Sequence, residues 1–419
     1  MPGCQTGFLM ATLLHTLICV NELSQRPGTG PGALDGILVA DFSRVLAGPY
    51  LTMLLSDLGA TVVKIESPDG DQTRGWGPPW RDGVSTYYQA VNRNKRSVVL
   101  DLTDRGDNRL ARELARRADV LVENLLPHRM REFGLAYEQV ALTNERLIYC
   151  SITGFGPGSN GQTLPGYDLV AQAASGLMSV TGERDGSPMK VGVAVIDIVC
   201  GLHAGLGILA ALAARERLGR GQLVEVNLLN SALSVLANQS AAHLMADVMP
   251  FRAGNAHPSV APYEVFQAAD GELVIAAGTD GQFAKLCQVL AAPRLAADER
   301  FRTNSGRVAH RAELSRVIES LLANRTRADV IDGLQTAGVP SGPVNNLAEA
   351  FEFARALNLD STWDIGGVEH VRTPMSMSLT PPHPSAPPPW LDESGDAVRA
   401  WLAETATTPD EEEETDSVA

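Results

Sequence analysis

A glycine-rich stretch leads to one carboxylate, Asp168, at the head of a helix built from small residues. The stretch contains Gly154 and Gly158, and Gly166-Tyr167 come immediately before Asp168. Glycines permit close backbone approach and a helix amino terminus offers free N–H groups, so a carboxylate and backbone donors could face the same small volume. The alternative, which this feature alone favours, is that Asp168 caps its own helix, since Asp is a preferred N-cap residue.

The elements that must position this carboxylate alternate between strand and helix. Apolar runs bounded by turn residues predict strands at residues 37–42, 60–65, 97–102, 120–123 and 147–152. Helices are predicted between them at residues 48–58, 107–117 and 137–143. Such alternation is typical of βαβ units and a parallel sheet. Because ligands bind open sheets beyond the carboxyl ends of the strands, we expect the rim to include Val45–Pro49, Glu66, Asn124 and the stretch from Gly154.

The pattern changes near residue 250. Before it, helices are predicted at residues 197–218 and 228–249 around a strand at 222–227. After it, the sequence predicts a β-hairpin at 263–277, helices at 281–290, 310–322 and 327–337, a linker at 339–344 and a last helix near 393–403. We therefore predict a large domain from residues 33–250 and 346–405 and a small α+β domain with its linkers at 251–345. Residues 1–32 are predicted to be a flexible extension and residues 406–419 an acidic disordered tail.

Composition indicates an ordinary globular protein and argues against several classes of partner. The 419 residues carry a net charge of −15, which argues against a nucleic-acid ligand. Five scattered cysteines favour a reducing cytoplasmic compartment, and neither they nor the eight histidines have metal-ligand spacing. The apolar run Phe8–Val20 is too short to span a membrane. No G-x-G-x-x-G turn joins the first strand and helix, so a nicotinamide cofactor is not supported.

Several ordered motifs between about Leu34 and Ala403 resemble those of the family III CoA-transferases, a group that includes formyl-CoA transferase and succinyl-CoA:dicarboxylate CoA-transferases. The motifs in the first half of the chain are Ser43–Pro49, Thr61–Glu66, Asn92–Ser97, Val122–Asn124, Gly154–Gly156 and Gly166–Asp168. The match is extended by Gly219–Gln222, Gly254–Pro258 and Gly338–Val344. Any one of these motifs would be a weak signal, whereas the ordered set is specific.

The resemblance implies a mechanism centred on Asp168. Family members carry an aspartate at this position that attacks the acyl-CoA thioester, and an Asp with its ordinary pKa of about 3.9 needs no base to become a nucleophile at neutral pH. An aspartyl mixed anhydride and then an aspartyl-CoA thioester would form before CoA passes to the acceptor acid, with succinyl-CoA as a candidate donor. CoA is then a substrate, and the reaction needs no metal and no permanently bound cofactor.

The resemblance also implies which residues contact CoA. They are Val45, Leu46 and Ala47 along its path, Lys95 and Arg96 near its phosphates, and Asn124 with Leu125 at its nucleotide or pantetheine portion. Simpler alternatives are strand-to-helix packing for the first three and a solvated basic turn for the Lys-Arg pair. Leu46 stands where formyl-CoA transferase has Gln, and Glu132 where members often have Arg. These departures disfavour formate and oxalate as substrates and leave the effect of Glu132 on CoA binding open.

The fold implied is a Rossmann-like large domain with a smaller α+β domain, assembled as an interlaced homodimer. Two other functions stay open. An α-methylacyl-CoA racemase shares the fold but pairs its aspartate with an upstream histidine, and here Tyr167 precedes Asp168 where racemases usually have His. A CoA-binding protein without turnover is the other alternative, against which an intact Asp168 with its glycine loops argues.

Overall fold

Six apolar segments pair into one parallel sheet in this computed structural model, which describes residues 32–158 and 160–404. The strands of the described chain are β1 (Leu38–Asp41), β2 (Thr61–Glu66), β3 (Trp80–Arg81), β4 (Val84–Ser85), β5 (Lys95–Val99), β6 (Val120–Glu123), β7 (Ile148–Thr153), β8 (Leu223–Asn227), β9 (Tyr263–Ala268), β10 (Gly271–Ala276), β11 (Ser341–Pro343), β12 (Thr362–Ile365) and β13 (Val368–Val371). The large sheet has the order β5-β2-β1-β6-β7-β8. The predicted parallel α/β fold is confirmed.

The helices lie between these strands and after them. They are α1 (Ala47–Asp57), α2 (Thr86–Ala90), α3 (Arg105–Arg117), α4 (Pro127–Glu132), α5 (Tyr137–Val140), α6 (Asp168–Ala174), α7 (Leu177–Val180), α8 (Val195–Leu218), α9 (Leu228–Val235), α10 (Ala237–Ala246), α11 (Asp280–Val289), α12 (Pro293–Ala297), α13 (Asn304–Ala309), α14 (Arg311–Leu322), α15 (Arg327–Thr336), α16 (Leu347–Ala356) and α17 (Gly395–Ala403). A short 3₁₀ turn occupies Gln72–Gly75.

Two predicted elements differ from the structure. The single helix predicted at residues 228–249 is two helices, α9 and α10, and Ala237 at their junction has a φ of 37°, which interrupts the helical backbone. The segment 339–344, predicted as a linker, contains β11, which pairs antiparallel with β10. Its Gly and Pro residues are typical of loops, so the sequence does not predict a strand here. Such residues are nevertheless tolerated in a strand at a sheet edge.

The chain divides into two compact units. Within the described residues the first comprises 32–175, 192–237 and 361–404, and the second comprises 176–191 and 238–360. The predicted small domain, 251–345, lies wholly inside the second unit, which also takes in 176–191, 238–250 and 346–360. The predicted extension, apart from residue 32, and the predicted acidic tail lie outside the described residues.

Each unit has its own apolar core. In the first, Val63, Val98 and Leu121 of the sheet are fully buried and pack with α3 and α17. In the second, the hairpin β9–β10 packs its Phe266 and Leu273 against helices that include α11, α14 and α15.

Helix α8 is strongly apolar, although much of its surface is not buried within this chain. α8 has 24 residues, and by length and composition alone it could cross a membrane, yet only 33% of its most apolar window is buried within this chain. Its outward face exposes Leu202, Leu206 and Leu218. A face of this kind in a single chain is typical of a surface that another apolar partner covers.

Candidate active site

Two loops meet where the order of the parallel strands reverses. β1 and β6 are neighbours in the sheet, whereas the chain runs from β1 to β2 on one side and from β6 to β7 on the other. Asn124, directly after β6, accepts a hydrogen bond from the Arg44 N–H at 2.9 Å and donates one to the Arg44 carbonyl at 2.7 Å. Such a reversal creates the ligand crevice of open α/β sheets.

A cavity of about 230 Å³ opens at this crevice. Five of the predicted CoA-binding residues line it, and they are Val45, Leu46, Ala47, Asn124 and Leu125. Its other walls include Gly154, Gly166-Tyr167 and Asp197. The structure therefore brings the loops after β1, β6 and β7 together around one space, because all three follow carboxyl ends of neighbouring strands.

The turn before α1 has an unusual backbone that buried charges hold in place. Val45 has a φ of 70°, a left-handed conformation that is rare for a β-branched residue. Its N–H donates to Asp71 at 3.2 Å, and the ammonium of Lys64 donates to the same carboxylate at 3.0 Å and to the Ser43 carbonyl at 2.9 Å. Backbone strain of this kind costs on the order of 1–3 kcal/mol and persists where the surroundings over-determine it. The Lys64–Asp71 pair thus fixes the shape of one cavity wall.

Lys95 and Arg96, predicted to lie near the CoA phosphates, do not line the cavities of this crevice. Lys95 begins β5, at the end of the strand away from the rim, and its fully buried ammonium donates to Asp41 at 3.2 Å, to the Pro49 carbonyl at 2.9 Å and to Asn92 at 2.9 Å. Burial lowers the Lys95 pKa to about 8, against the opposing effect of Asp41. Neither Lys95 nor Arg96 lines this cavity or the second, larger cavity that adjoins it. This geometry does not support a phosphate contact by Lys95, because its three donors are already satisfied inside the protein.

A second cavity of about 410 Å³ adjoins the first. Arg44, Gln72, Leu125 and Leu126 line both of them. Its remaining walls come from the loop after β1, the end of β2 and the loop that follows it, the loop after β5, and α4 with the residue after it, so it too lies at the carboxyl ends of the strands. Because they share four lining residues, the two cavities adjoin one another along the rim.

The positive charges that line these two cavities are Arg44, Lys64 and Arg129, of which Lys64 is buried and paired with Asp71. Arg129 lines the second cavity and pairs with Glu132, one turn later in α4, at 2.9 Å. Both side chains of this pair are about half exposed. Exposed ion pairs contribute only about 0–1 kcal/mol, so an anionic ligand can compete with Glu132 for Arg129. The sequence analysis assigned Arg129 no role, and its position on a short helix after a strand end was the available signal.

Two glycines let the loop after β7 touch the segment that precedes Asp168. A Cβ added at Gly154 would lie 2.5 Å from the Gly166 Cα and 3.0 Å from the Gly166 nitrogen. Real Cβ atoms do not approach backbone this closely, because carbon atoms in contact lie about 3.5–4.0 Å apart. The glycine pair therefore sets the distance between β7 and the start of α6.

Asp168 is the first residue of α6 and does not cap that helix. One carboxylate oxygen accepts from the N–H of Ile196 at 2.8 Å and of Asp197 at 3.2 Å, both in the first turn of α8. The other oxygen accepts from the Gln172 side chain at 2.5 Å. The residue is 9% exposed. The N-cap alternative is therefore wrong in this structure, and the carboxylate lies instead at the amino-terminal, positive end of a different helix.

A second carboxyl group lies beside the first. Asp197 is 9% exposed and lines the smaller cavity. Burial, and then the charge of Asp168, raise its pKa to about 7. The sequence analysis did not identify Asp197 as a site residue, since it marked only the start of a predicted helix. The nearby phenol of Tyr87 has its pKa raised to about 12, by burial and by the same two carboxylates.

Comparisons with known proteins identify the family of this chain. The model of CoA-transferase family III matches residues 34–394. The chain is 43% identical over 390 residues to a succinate–glutarate CoA-transferase of Agrobacterium fabrum, covering 90% of this chain and 98% of that protein. It is 42% identical to a succinyl-CoA:glutarate CoA-transferase of Mus musculus, over 78% of this chain and 75% of the relative. An acetyl-CoA:oxalate CoA-transferase of Acetobacter aceti is 41% identical, over 90% and 97%.

A solved structure shares the fold as well. A CAIB/BAIF family protein from Brucella suis superimposes with a TM-score of 0.81 at 42% identity, covering 89% of this chain and all of that one. The family match spans far more than half of the chain. The first two relatives are named as CoA-transferases, and the chain covers most of the length of each. The predicted activity of CoA transfer is confirmed at this level. The protein belongs to the family III CoA-transferases.

Proposed function

We propose that this enzyme transfers CoA from succinyl-CoA to a dicarboxylic acid through a covalent intermediate on Asp168. The observation that carries the proposal is the carboxylate of Asp168, held by two N–H groups of α8 and by Gln172. It follows directly on Gly166-Tyr167, which line the cavity formed by the turn Val45–Ala47. A nucleophile oriented by hydrogen bonds and adjoining a partly enclosed space is what covalent catalysis requires.

The chemistry then follows four exchanges. The Asp168 carboxylate bonds to the thioester carbonyl carbon and the sulfur leaves, which yields a mixed anhydride. CoA returns to the aspartyl carbonyl and releases the donor acid, leaving an aspartyl-CoA thioester. The acceptor carboxylate attacks that thioester, and CoA finally attacks the acceptor side of the new anhydride, freeing Asp168. Each step exchanges one activated acyl group for another, so exclusion of water is the main demand on the site.

The two adjoining cavities support a path for CoA along the strand ends. The smaller one adjoins Asp168 and takes the thioester end in this proposal, with Val45, Leu46 and Ala47 along it. The larger one takes the nucleotide end, where Arg44 and Arg129 offer charge to phosphates. Arg129 thus replaces the Lys-Arg pair that the sequence resemblance indicated.

The choice of donor and acceptor rests on the relatives. Those named above act on succinate, succinyl-CoA and glutarate in two cases and on acetyl-CoA and oxalate in the third. Two of the three therefore favour a succinyl donor with a dicarboxylate acceptor. The sequence prediction that disfavours oxalate stays a prediction, since one relative of similar identity acts on oxalate.

We also propose that a second copy of this chain covers the exposed face of α8. That face carries Leu202, Leu206 and Leu209, while the first turn of the same helix holds Asp168. Because the first turn of α8 also holds the catalytic carboxylate, α8 belongs to the folded enzyme. A second protein chain therefore explains its exposed apolar face better than a lipid bilayer does. The interlaced homodimer is the form that the family resemblance implies, and native mass spectrometry of the purified enzyme tests for a dimer.

We propose that the enzyme is cytoplasmic, and its buried thiols support this. Cys150, Cys200 and Cys287 are free and buried, as expected of a chain that folds in a reducing compartment. The absence of a nucleic-acid partner stays a prediction from the net charge.

The decisive experiment traps the intermediate. Wild-type enzyme, Asp168→Asn and the matched carboxylate-to-amide control Glu225→Gln, whose side chain is exposed on β8, are incubated with succinyl-CoA and then hydroxylamine. Peptide mass spectrometry should find a hydroxamate on Asp168 in the wild type and the control and none in Asp168→Asn.

Two other results would redirect the assignment. If succinyl-CoA binds and no hydroxamate forms with it or with other acyl-CoA donors, the covalent mechanism is wrong. If the enzyme instead exchanges the α-hydrogen of a 2-methylacyl-CoA with solvent deuterium, the racemase alternative is correct.

A further inference from the structure

The carboxyl group of Asp197 is largely buried, and its oxygens accept no hydrogen bond from the described residues. The Asp197 N–H binds Asp168, but no residue in the described ranges 32–158 and 160–404 donates a hydrogen bond to its carboxyl oxygens, although the residue is only 9% exposed. These oxygens are not among the fully buried unpaired atoms, so they open onto the cavity. A charge held there with no protein donor and little exposure is still costly. The group also lines the cavity that adjoins the nucleophile. A costly group that faces the reacting space indicates a chemical task.

The groups around Asp197 favour its protonated form. Those that interact with it electrostatically are Asp168 on α6, Tyr87 on α2 and Cys200 on α8, and none of them is a cation. Burial raises the pKa of Tyr87 and of Cys200 to about 12, so both stay neutral near pH 7. Asp168 is then the only charge of the group, and a proton on Asp197 avoids placing two carboxylates side by side.

We propose that Asp197 carries the proton that sulfur gains and loses during CoA transfer. This rests on the proposed role of Asp168. As Asp168 bonds to the thioester carbon, the C–S electron pair moves to sulfur and the Asp197 hydroxyl gives its proton to that sulfur. The products are the anhydride, CoA thiol and an Asp197 carboxylate. When CoA returns, Asp197 takes the proton back, sulfur bonds to the aspartyl carbon and the donor acid leaves as a carboxylate. The acceptor half repeats both transfers.

The acidity of the two groups suits this exchange. Thiols in proteins have a pKa of about 8.5, so an acid with a pKa near 7 can protonate a departing thiolate, and its conjugate base can recover the proton. Burial raises the Asp197 pKa most and the charge of Asp168 adds to it; acylation neutralises Asp168 and removes that second contribution. Asp197 therefore becomes more acidic at the moment when the thiolate forms.

The test compares Asp197→Asn with wild type and with Glu225→Gln across pH. In the wild type and in the control, kcat should fall as pH rises above about 7, and kcat should be slower in D₂O. In Asp197→Asn, kcat should drop by about 10²-fold, the range of general acid–base catalysis. That variant should also lose the alkaline decline, while KM for succinyl-CoA changes little.

The hydroxamate assay separates failure of this proposal from failure of the covalent mechanism. Asp197→Asn should still yield the Asp168 hydroxamate, more slowly. If wild type yields the hydroxamate but Asp197→Asn keeps the wild-type rate, or keeps the same alkaline decline at a lower rate, Asp197 carries no transferred proton. Should the variant fail to fold, the wild type alone decides, because a pH-independent kcat with no solvent isotope effect would also overturn the proposal.

Discussion

Replacing Gly154 by Ala should displace Asp168 indirectly, through the backbone of Gly166. The new Cβ would lie 2.5 Å from the Gly166 Cα. The nearest atoms are all backbone atoms of Gly166, so no flexible side chain can move aside to relieve the contact. Restoring an ordinary carbon contact of about 3.5–4.0 Å requires a shift of about 1 Å. Gly166 is two residues before Asp168, so the shift falls on the segment that presents the carboxylate. Misplacement by about 1 Å costs on the order of 10²-fold in rate.

The assay is the steady-state rate of CoA transfer together with a thermal melt. We expect kcat to fall by about 10²-fold and unfolding to become easier by about 1–3 kcal/mol, the usual cost of overpacking. Gly158→Ala, on the same loop, is the matched control, because nothing lies within 4 Å of its added Cβ and its φ is not in the left-handed region. A kcat for Gly154→Ala equal to that of the control would refute the contact argument.

Three further predictions concern charges. Asp71→Ala leaves Lys64 without its 3.0 Å partner and should destabilise the fold by about 3 kcal/mol and raise KM for acyl-CoA; an unchanged melt would contradict this. Arg129→Ala should raise KM for acyl-CoA with little change in kcat, and the rise in KM should be larger at low salt. Glu132→Ala, which removes the partner of Arg129, should leave KM equal or lower. Equal effects of the two substitutions on KM would contradict the role of Arg129 in binding phosphate. Burial and the charge of Asp168 raise the Asp197 pKa to about 7 in the folded state from 3.8. The native state therefore keeps a proton that the unfolded chain releases, and its stability should fall progressively between pH 4 and 7, by up to about 4 kcal/mol. Urea unfolding of Asp197→Asn should therefore show no gain over wild type at pH 4 and a growing gain up to pH 7, and a gain independent of pH would contradict this.

Local patterns in the sequence determined most of the elements. β1, β2, β6 and β7 were predictable because each is a short apolar run that turn residues interrupt. The β-hairpin of the second unit was predictable from the Asp270-Gly271 turn between two apolar runs. The break at Ala237 was not, since nothing in an apolar helical pattern indicates a single left-handed residue.

The motifs of the sequence also determined the family and the residue at its chemical centre. Asp168 follows a glycine pattern that only close backbone packing explains, and the rim residues Val45–Ala47 and Asn124 follow strand ends that any parallel sheet brings together. These inferences depend on neighbours along the chain and on the rule that ligands lie at carboxyl ends.

Only the tertiary structure decided which side chains share a space. Lys95 belongs to a basic turn in the sequence, but β5 places it where its ammonium reaches Asp41 rather than solvent. Asp197 is distant from Asp168 along the chain, yet in the first turn of α8 its N–H donates to the Asp168 carboxylate, and the charge of Asp168 acts on the Asp197 carboxyl group. Their protonation depends on burial and on each other's charge. The physical reason is that burial and charge act through space, and the order of strands in the sheet, which a single sequence does not state, determines that space.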